Sequence, residues 1–328
     1  MKRQPLLLIL VLLMLSASAC GPLAMPGSEE SQLRRIRLPM GYVPNIQYAP
    51  FYVGMEKGFF AEENLEIDFD YSYETDGVAL VGANELQFSL ASGEQVPIAR
   101  AEGLPIVYVM AWYGKYPVAV IAKGEQGITE PEDLAGKRVG LPGLFGANYV
   151  GLRALLAQAG LKESDLRLDS IGFNQVEVLA TDANDAVVGY LANEPIQLRA
   201  QGYDIDVIAV ADYVDLVSNG LITNQVTIEN EPELVRGMVS ATMKAIQYTV
   251  ENPDEAYEIS KKFVEGLEDA DRQVQMDVLK TSISLYQTDP YGYSDQDAWE
   301  NMQQVLLQMG LMKEEIELNE TYSNEFIR

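Results

Sequence analysis

Apolar and polar positions along this chain recur regularly enough to predict its elements in order. Residues 36–40 form a short β-prone run that stops at Gly41. Pro50 can open a helix, and Phe51, Tyr52, Met55 and Phe59 then recur at helical spacing until the Gly58 region interrupts it. That spacing marks Tyr52 and Phe59 as core. Leu65, Ile67, Phe69 and Tyr71 alternate with Glu66, Asp68 and Asp70, the pattern of a strand with one solvated face. Strand, helix, strand at these intervals is a crossover unit of an α/β sheet. The same order restarts at Lys137-Arg138-Val139-Gly140, followed by a helix over 149–160 that carries Val150, Leu152, Leu155, Leu156 and Ala159 and stops at Gly160.

A weak internal repeat accompanies this restart. Asn84-Glu85-Leu86-Gln87-Phe88 followed by Glu94 lines up, at an offset of 100 residues, with Asn184-Asp185-Ala186-Val187-Val188 followed by Glu194. Tyr52-Val53-Gly54 and Tyr149-Val150-Gly151 add to it, and two lobes of similar design follow. Beyond about Asn224 the pattern turns helical, over 233–250, 254–264, 272–286 and 295–309, with Ser294 suited to cap the last of these. Such a tail must pack somewhere, most simply on the first lobe. The expected division is lobe 1 from 36–118 plus 216–328 and lobe 2 from 119–215.

Composition narrows the function. The 328 residues suffice for two domains or two lobes, and 48% apolar against 22% charged residues is a globular composition. Asp plus Glu number 49 against 23 Lys plus Arg, a net charge of −26 that leaves no clustered cations for a phosphate backbone, so nucleic acid is not expected as a partner. The chain has no histidine, which removes the usual general base and the commonest metal ligand; neither a metal nor a cofactor is expected. Its one cysteine, Cys20, allows no internal disulfide.

The amino terminus reads as an export signal. Lys2 and Arg3 precede the apolar run 6–15, then Ser16-Ala17-Ser18-Ala19 leads into Cys20-Gly21. The tract suits ordinary cleavage after Ala19, and it also resembles a bacterial lipobox in which the Cys20 thiol carries a lipid. Residues 1–19 are then a signal peptide, Cys20 a membrane anchor, and 20–35, rich in Gly, Pro, Ser and Glu, the lipidated end and tether of a body outside the cytoplasmic membrane.

Gly41-Tyr42-Val43-Pro44-Asn45-Ile46-Gln47-Tyr48-Ala49-Pro50-Phe51-Tyr52 with Glu56-Lys57-Gly58-Phe59-Phe60, Asp133-Leu134-Ala135-Gly136-Lys137-Arg138-Val139-Gly140, and Ala192-Asn193-Glu194-Pro195 resemble the periplasmic binding proteins related to the thiamine-pyrimidine synthases. The resemblance covers roughly residues 36–322. It implies an α/β periplasmic-binding-protein fold of type II, with two Rossmann-like lobes, a ligand cleft between them and a helical C-terminal tail. It also implies a binding protein that serves the permease and ATPase of an ABC importer. Relatives bind thiamine-precursor pyrimidines, riboflavin or alkylsulfonates. An enzyme like the synthases is the other class, but their chemistry needs a histidine and a cysteine-rich iron motif, and both are absent here.

Strand ends in open α/β sheets lead into ligand loops, which here are 41–50, 91–95, 140–146 and 191–195. Tyr42, Tyr48, Trp112, Tyr113, Tyr116, Phe145, Tyr149 and Tyr190 lie on or beside these loops or the crossing near residue 115, and aromatic faces suit a flat ligand. Each of them could instead be a core filler. Asn45, Gln47, Ser92, Glu94, Asn193 and Glu194 add amides, a hydroxyl and carboxylates for the polar edge of a ring or for a sugar-like chain. The glycine-rich stretch 140–146 reads as a turn for close backbone approach rather than an anion cradle. Lys115 and Arg153 are the only cations nearby, which disfavours a sulfonate. With eight aromatic candidates, riboflavin is preferred to a thiamine-precursor pyrimidine.

Overall fold

The computed structural model describes residues 33–286, 288 and 290–327. The leader, Cys20 and nearly all of the tether lie outside the described residues; the tether's expected end at Arg35 is overtaken by a strand that already starts at Arg34.

β1 (Arg34–Gly41) runs parallel to β2 (Leu65–Tyr73), and the two are joined by α1 (Ala49–Glu56) and α2 (Phe59–Glu62). Gly58, left-handed at φ 76°, ends one helix and starts the next. The alternation in β2 resolves as expected, with Leu65 and Ile67 buried while Asp68 and Asp70 pair with Arg35 and Arg37 of β1 at 3.0 and 2.6 Å. Exposed pairs contribute under about 1 kcal/mol each. The buried face therefore sets the register.

The chain continues through α3 (Glu74–Gly82), β3 (Ser89–Ala91), α4 (Gln95–Ala101) and β4 (Ile106–Ala111). It then crosses to a second sheet made of β5 (Val118–Lys123), β6 (Arg138–Leu141), β7 (Arg167–Ser170), β8 (Ala186–Tyr190) and β9 (Ile205–Ala209), interleaved with α5 (Gly146–Gln158), α6 (Gln175–Ala180) and α7 (Glu194–Ala200). It returns as β10 (Gly220–Asn224). The second sheet has the order β7-β6-β8-β5-β9, with β5 antiparallel to both its neighbours. In the first sheet β10 lies antiparallel between β3 and β4, and β1 packs beside β3, where the Ser89 hydroxyl donates to the Pro39 carbonyl at 3.4 Å.

The two-stranded sheet β2-β1 and the three-stranded sheet β3-β10-β4 thus lie side by side in the spatial order β2-β1-β3-β10-β4, the same arrangement with the same single reversed strand. The 100-residue offset is the offset between the segment from α3 to β4 and the segment from α6 to β9. Even the shared glycines have one physical cause: a Cβ on Gly54 would come within 2.5 Å of the Phe60 ring, and one on Gly151 within 2.9 Å of the Tyr116 ring.

The C-terminal helices are α8 (Gln225–Asn230), α9 (Pro232–Glu251), α10 (Pro253–Ser260), α11 (Arg272–Leu285) and α12 (Gln296–Met309). α9 and α10 pack on α1, as expected, but α12 packs on α5 of the second half. There Trp299, Met302 and Leu306 join Leu155 and Leu156 in one core, and an apolar stripe of that size goes where it can be buried. The cap of α12 also differs from expectation. Asp295 accepts from the Asp297 N–H at 2.8 Å, while the Ser294 hydroxyl accepts from Trp299 Nε1. Among the described residues no helix is long and apolar enough to cross a membrane.

Candidate functional site

The C-terminal ends of strands from both sheets meet around one cleft of about 160 Å3. Its floor is an aromatic stack. Trp112 lies face to face with Tyr113 at 4.3 Å between ring centres and with Tyr48 at 5.1 Å, and Tyr113 continues onto Tyr286 at 5.6 Å. Hydrogen bonds fix these rings from behind: the Tyr48 hydroxyl donates to the Met40 carbonyl and the Tyr286 hydroxyl to the Gln47 carbonyl. Opposite, the loop after β7 supplies Phe173, which meets Tyr42 edge-on at 4.7 Å and lies over Tyr73 at 6.3 Å. Phe145, from the glycine-rich turn before α5, adds a further exposed ring.

Two carboxyls line the cleft, Glu74 and Glu194. Glu194 opens α7, is 5% exposed and takes the Tyr190 backbone N–H on Oε2 at 2.7 Å and the Asn193 amide on Oε1 at 3.2 Å. Burial pushes its carboxyl above the usual range despite these donors. Burial, with the Glu194 charge added, also pushes the Tyr42 phenol up to about 12. Glu74, half-buried at the start of α3, accepts from Asn219 at 3.3 Å and lies within hydrogen-bond reach of Ser92, and burial followed by the charge of Glu94 pushes it up to about 8. Trp112 Nε1 and Asn148 Oδ1 are buried here with no hydrogen-bond partner. Among the described residues that line the cleft, none is lysine or arginine.

Of the residues singled out in the sequence, Tyr42, Gln47, Tyr48, Trp112, Tyr113, Phe145, Tyr190, Asn193 and Glu194 line the cleft. Five do not. Asn45 turns inward, accepting the Gln47 N–H at 3.0 Å as the cap of a 3-10 turn. Tyr116 is fully buried between β5 and α5 with its hydroxyl on the Ala147 carbonyl, and Tyr149 faces outward to Glu163 and Arg153. Ser92 and Glu94 lie beneath the cleft behind Glu74. Lys115 is exposed and Arg153 is engaged with Glu163, so neither cation reaches the site.

Sequence reasoning missed Tyr73, Glu74, Phe173, Gln175 and Asn219. Extending the β2 alternation by two residues, and recognising β7 as a strand so that its following loop counted, would have found the first three. Asn219 takes both the Trp112 and Tyr113 backbone N–H groups on its carbonyl, a contact 106 or more residues apart in sequence. No local signal marks it.

An outer cleft of about 440 Å3 shares Tyr42, Phe173, Gln175, Asn193 and Glu194 with the inner one. Its other walls include Asn174, Glu177, Thr181, Gln197 and Gln201.

Residues 45–256 match the family described as NMT1/THI5 like. The chain is 34% identical to riboflavin-binding protein RibY of Chloroflexus aurantiacus, over 97% of this chain and 96% of that protein. It is 28% identical to the formylaminopyrimidine-binding protein of Halalkalibacterium halodurans, over 84% and 85%. Among solved structures, a Candida albicans protein with the generic periplasmic binding protein fold superposes with a TM-score of 0.65 at 19% identity, over 89% of this chain and 97% of that one. The fold is that of the periplasmic binding proteins.

Proposed function

The chain belongs to the NMT1/THI5-like family, and from that membership we propose that it is an extracytoplasmic solute-binding lipoprotein of an ABC importer whose cleft holds a flat heteroaromatic vitamin, riboflavin. The observation that carries this reading is the pairing of an aromatic inner cleft, without a cation among its described lining residues, with an outer cleft walled by amides, a hydroxyl and the carboxyls of Glu177 and Glu194. A tricyclic ring stacks on the first, each aromatic contact contributing about 0.5–1.5 kcal/mol beyond its area. A polyhydroxylated side chain suits the donors and acceptors of the second. The 34% identical relative is a riboflavin-binding protein, which supports the same choice. An anionic sulfonate would meet Glu74 and Glu194 with no cation among the described lining residues. Synthase chemistry of the kind the resemblance suggested has no histidine to use.

In this reading the connections near residues 115–120 and 215–222 are hinges between lobe 1 (36–118 plus 216–328) and lobe 2 (119–215), and Phe173 closes from lobe 2 onto Tyr42 and Tyr73 of lobe 1. Titrating the mature protein into riboflavin should quench the flavin fluorescence at micromolar or lower concentration. No quenching, together with tight binding of an aminopyrimidine, would move the ligand to the pyrimidine class. Closure adds a second expected signal. The radius of gyration should fall with ligand, and Trp112 fluorescence should change in a Trp299→Phe background, since Trp299 is buried against Tyr108 and Tyr322 and does not line the cleft. Tight binding with neither signal would place closure before binding or the ligand within one lobe.

The lipid anchor is tested separately at Cys20. Cys20→Ser should move the protein from the membrane fraction to the soluble fraction and leave riboflavin affinity unchanged, because the tether separates the anchor from the cleft. Membrane retention of the variant would refute lipidation as the anchor.

A further inference from the structure

Glu74 and Glu94 approach each other through one hydroxyl. Ser92 Oγ lies within hydrogen-bond reach of Glu74 Oε2 and of Glu94 Oε1, the latter at 2.7 Å. A serine hydroxyl has one proton and cannot donate to two carboxylates at once. One of the two contacts therefore needs a proton on a carboxyl.

The surroundings decide which. Glu94 lies fully buried at the start of α4 and receives Gln95 Nε2 at 3.3 Å besides Ser92, whereas its Oε2 has no partner. Glu74 receives the Asn219 amide on Oε1 and presents its carboxyl to the cleft, in a space kept open by Gly41, where a Cβ would come within 2.5 Å of the Glu74 side chain. The other titratable groups around the pair are Tyr48, Tyr116 and Tyr190, all held neutral by burial, and Glu194, which lines the same cleft. The cations on the packed elements are committed elsewhere, Arg100 of α4 to Glu320 and Arg37 of β1 to Asp70. Two ionised carboxylates with no cation facing them would repel in a low-dielectric pocket. Charge on the deeper Glu94 and a proton on Glu74, passed as Glu74 O–H to Ser92 and Ser92 O–H to Glu94, satisfies both Ser92 contacts.

We propose that Glu74, Ser92 and Glu94 share one proton, that the negative charge resides on Glu94, and that Glu74 is the residue setting the charge of the ligand the cleft accepts. An uncharged ring binds with the proton in place. A cationic ring binds as Glu74 Oε2 releases that proton to the buffer. An anionic ring finds no counter-charge. This rests on the reading of the cleft as the ligand site, and it names the ligand class by charge.

Infrared spectroscopy of the ligand-free protein, with glutamate labelled at the carboxyl carbon, tests the proton without any ligand. A protonated-carboxyl stretch is expected at neutral pH, should disappear on alkalinisation, and should be missing in Glu74→Gln. Its absence from the wild type would overturn the shared proton. In a parallel titration the affinity for riboflavin should fall about tenfold per pH unit above the infrared midpoint, and Glu74→Gln should flatten that slope. Riboflavin binding that is pH-independent in the wild type, with the band present, would overturn the role in charge selection. A titrating band with no riboflavin binding at any pH would uphold the relay and reject riboflavin as the ligand.

Discussion

Replacing Gly189 by alanine should cost at least tenfold in ligand affinity and about 1–3 kcal/mol in stability. Gly189 lies in β8 opposite Ala119, and a Cβ there would come within 2.6 Å of Glu194 Oε2 and 2.7 Å of its Cδ. The obstacle is space, not backbone conformation. Glu194 could escape only by giving up the Tyr190 N–H that it holds at 2.7 Å, which leaves a buried donor unpaired and removes the carboxyl from the cleft wall. Glu194→Gln separates the two consequences. The amide oxygen can still take the Tyr190 N–H, so the fold should be nearly unaffected, while the loss of charge should weaken binding by about 1.5–3 kcal/mol if the carboxylate bonds the ligand. Calorimetric titration and thermal melting of both variants check this. Full affinity in Gly189→Ala would show that the seat of Glu194 is irrelevant to binding.

Gly189 and Glu194 also show how far the chain could be read without coordinates. Glu194 stood out through its motif, and its place at a strand end predicted its position on the cleft. Its buried seat against Gly189 could not be read, because a close approach depends on where α7 docks on β8. The aromatic residues divide the same way. Tyr48, Trp112 and Tyr113 were legible as loop aromatics, yet so were Tyr116 and Tyr149, and sequence position alone does not say which way a ring turns. Tyr116 points to α5 because Gly151 leaves room for it there. The repeat around Asn84 and Asn184 is legible as a pattern and points to two lobes of similar design, but the matching strand order of the sheets is not. It depends on β10 and β5, the reversed strands, which come from different points of the chain in the two halves and share no motif. α12 crosses to the second half for a comparable reason: its apolar stripe is readable, its partner is not.

The Glu74 carboxyl at the cleft should make this protein more stable in mild acid than in mild alkali. Glu74 carries the effect, because burial and then the charge of Glu94 raise its carboxyl to about 8. A carboxyl raised in the folded state holds its proton there after the unfolded chain has lost it. Between the ordinary carboxyl range and about pH 8 the folded state thus binds more protons than the unfolded one, and unfolding free energy falls as pH rises. The carboxyls shifted the other way do not oppose this. Asp185, held down by Arg138, and Glu231, held down by Arg34, stay ionised in both states throughout that window and weaken the fold only in stronger acid. With the half-burial of Glu74 discounting the full linkage, the gain from about pH 8.5 to about pH 5.5 should be on the order of 2 kcal/mol, or roughly 5 °C in melting temperature for a chain of this size. Glu74→Gln should lose most of that difference, because its amide neither titrates nor repels Glu94. Melting curves across this range are the measurement, and a temperature that rises with pH in the wild type would show that Glu74 ionises below neutrality in the folded protein.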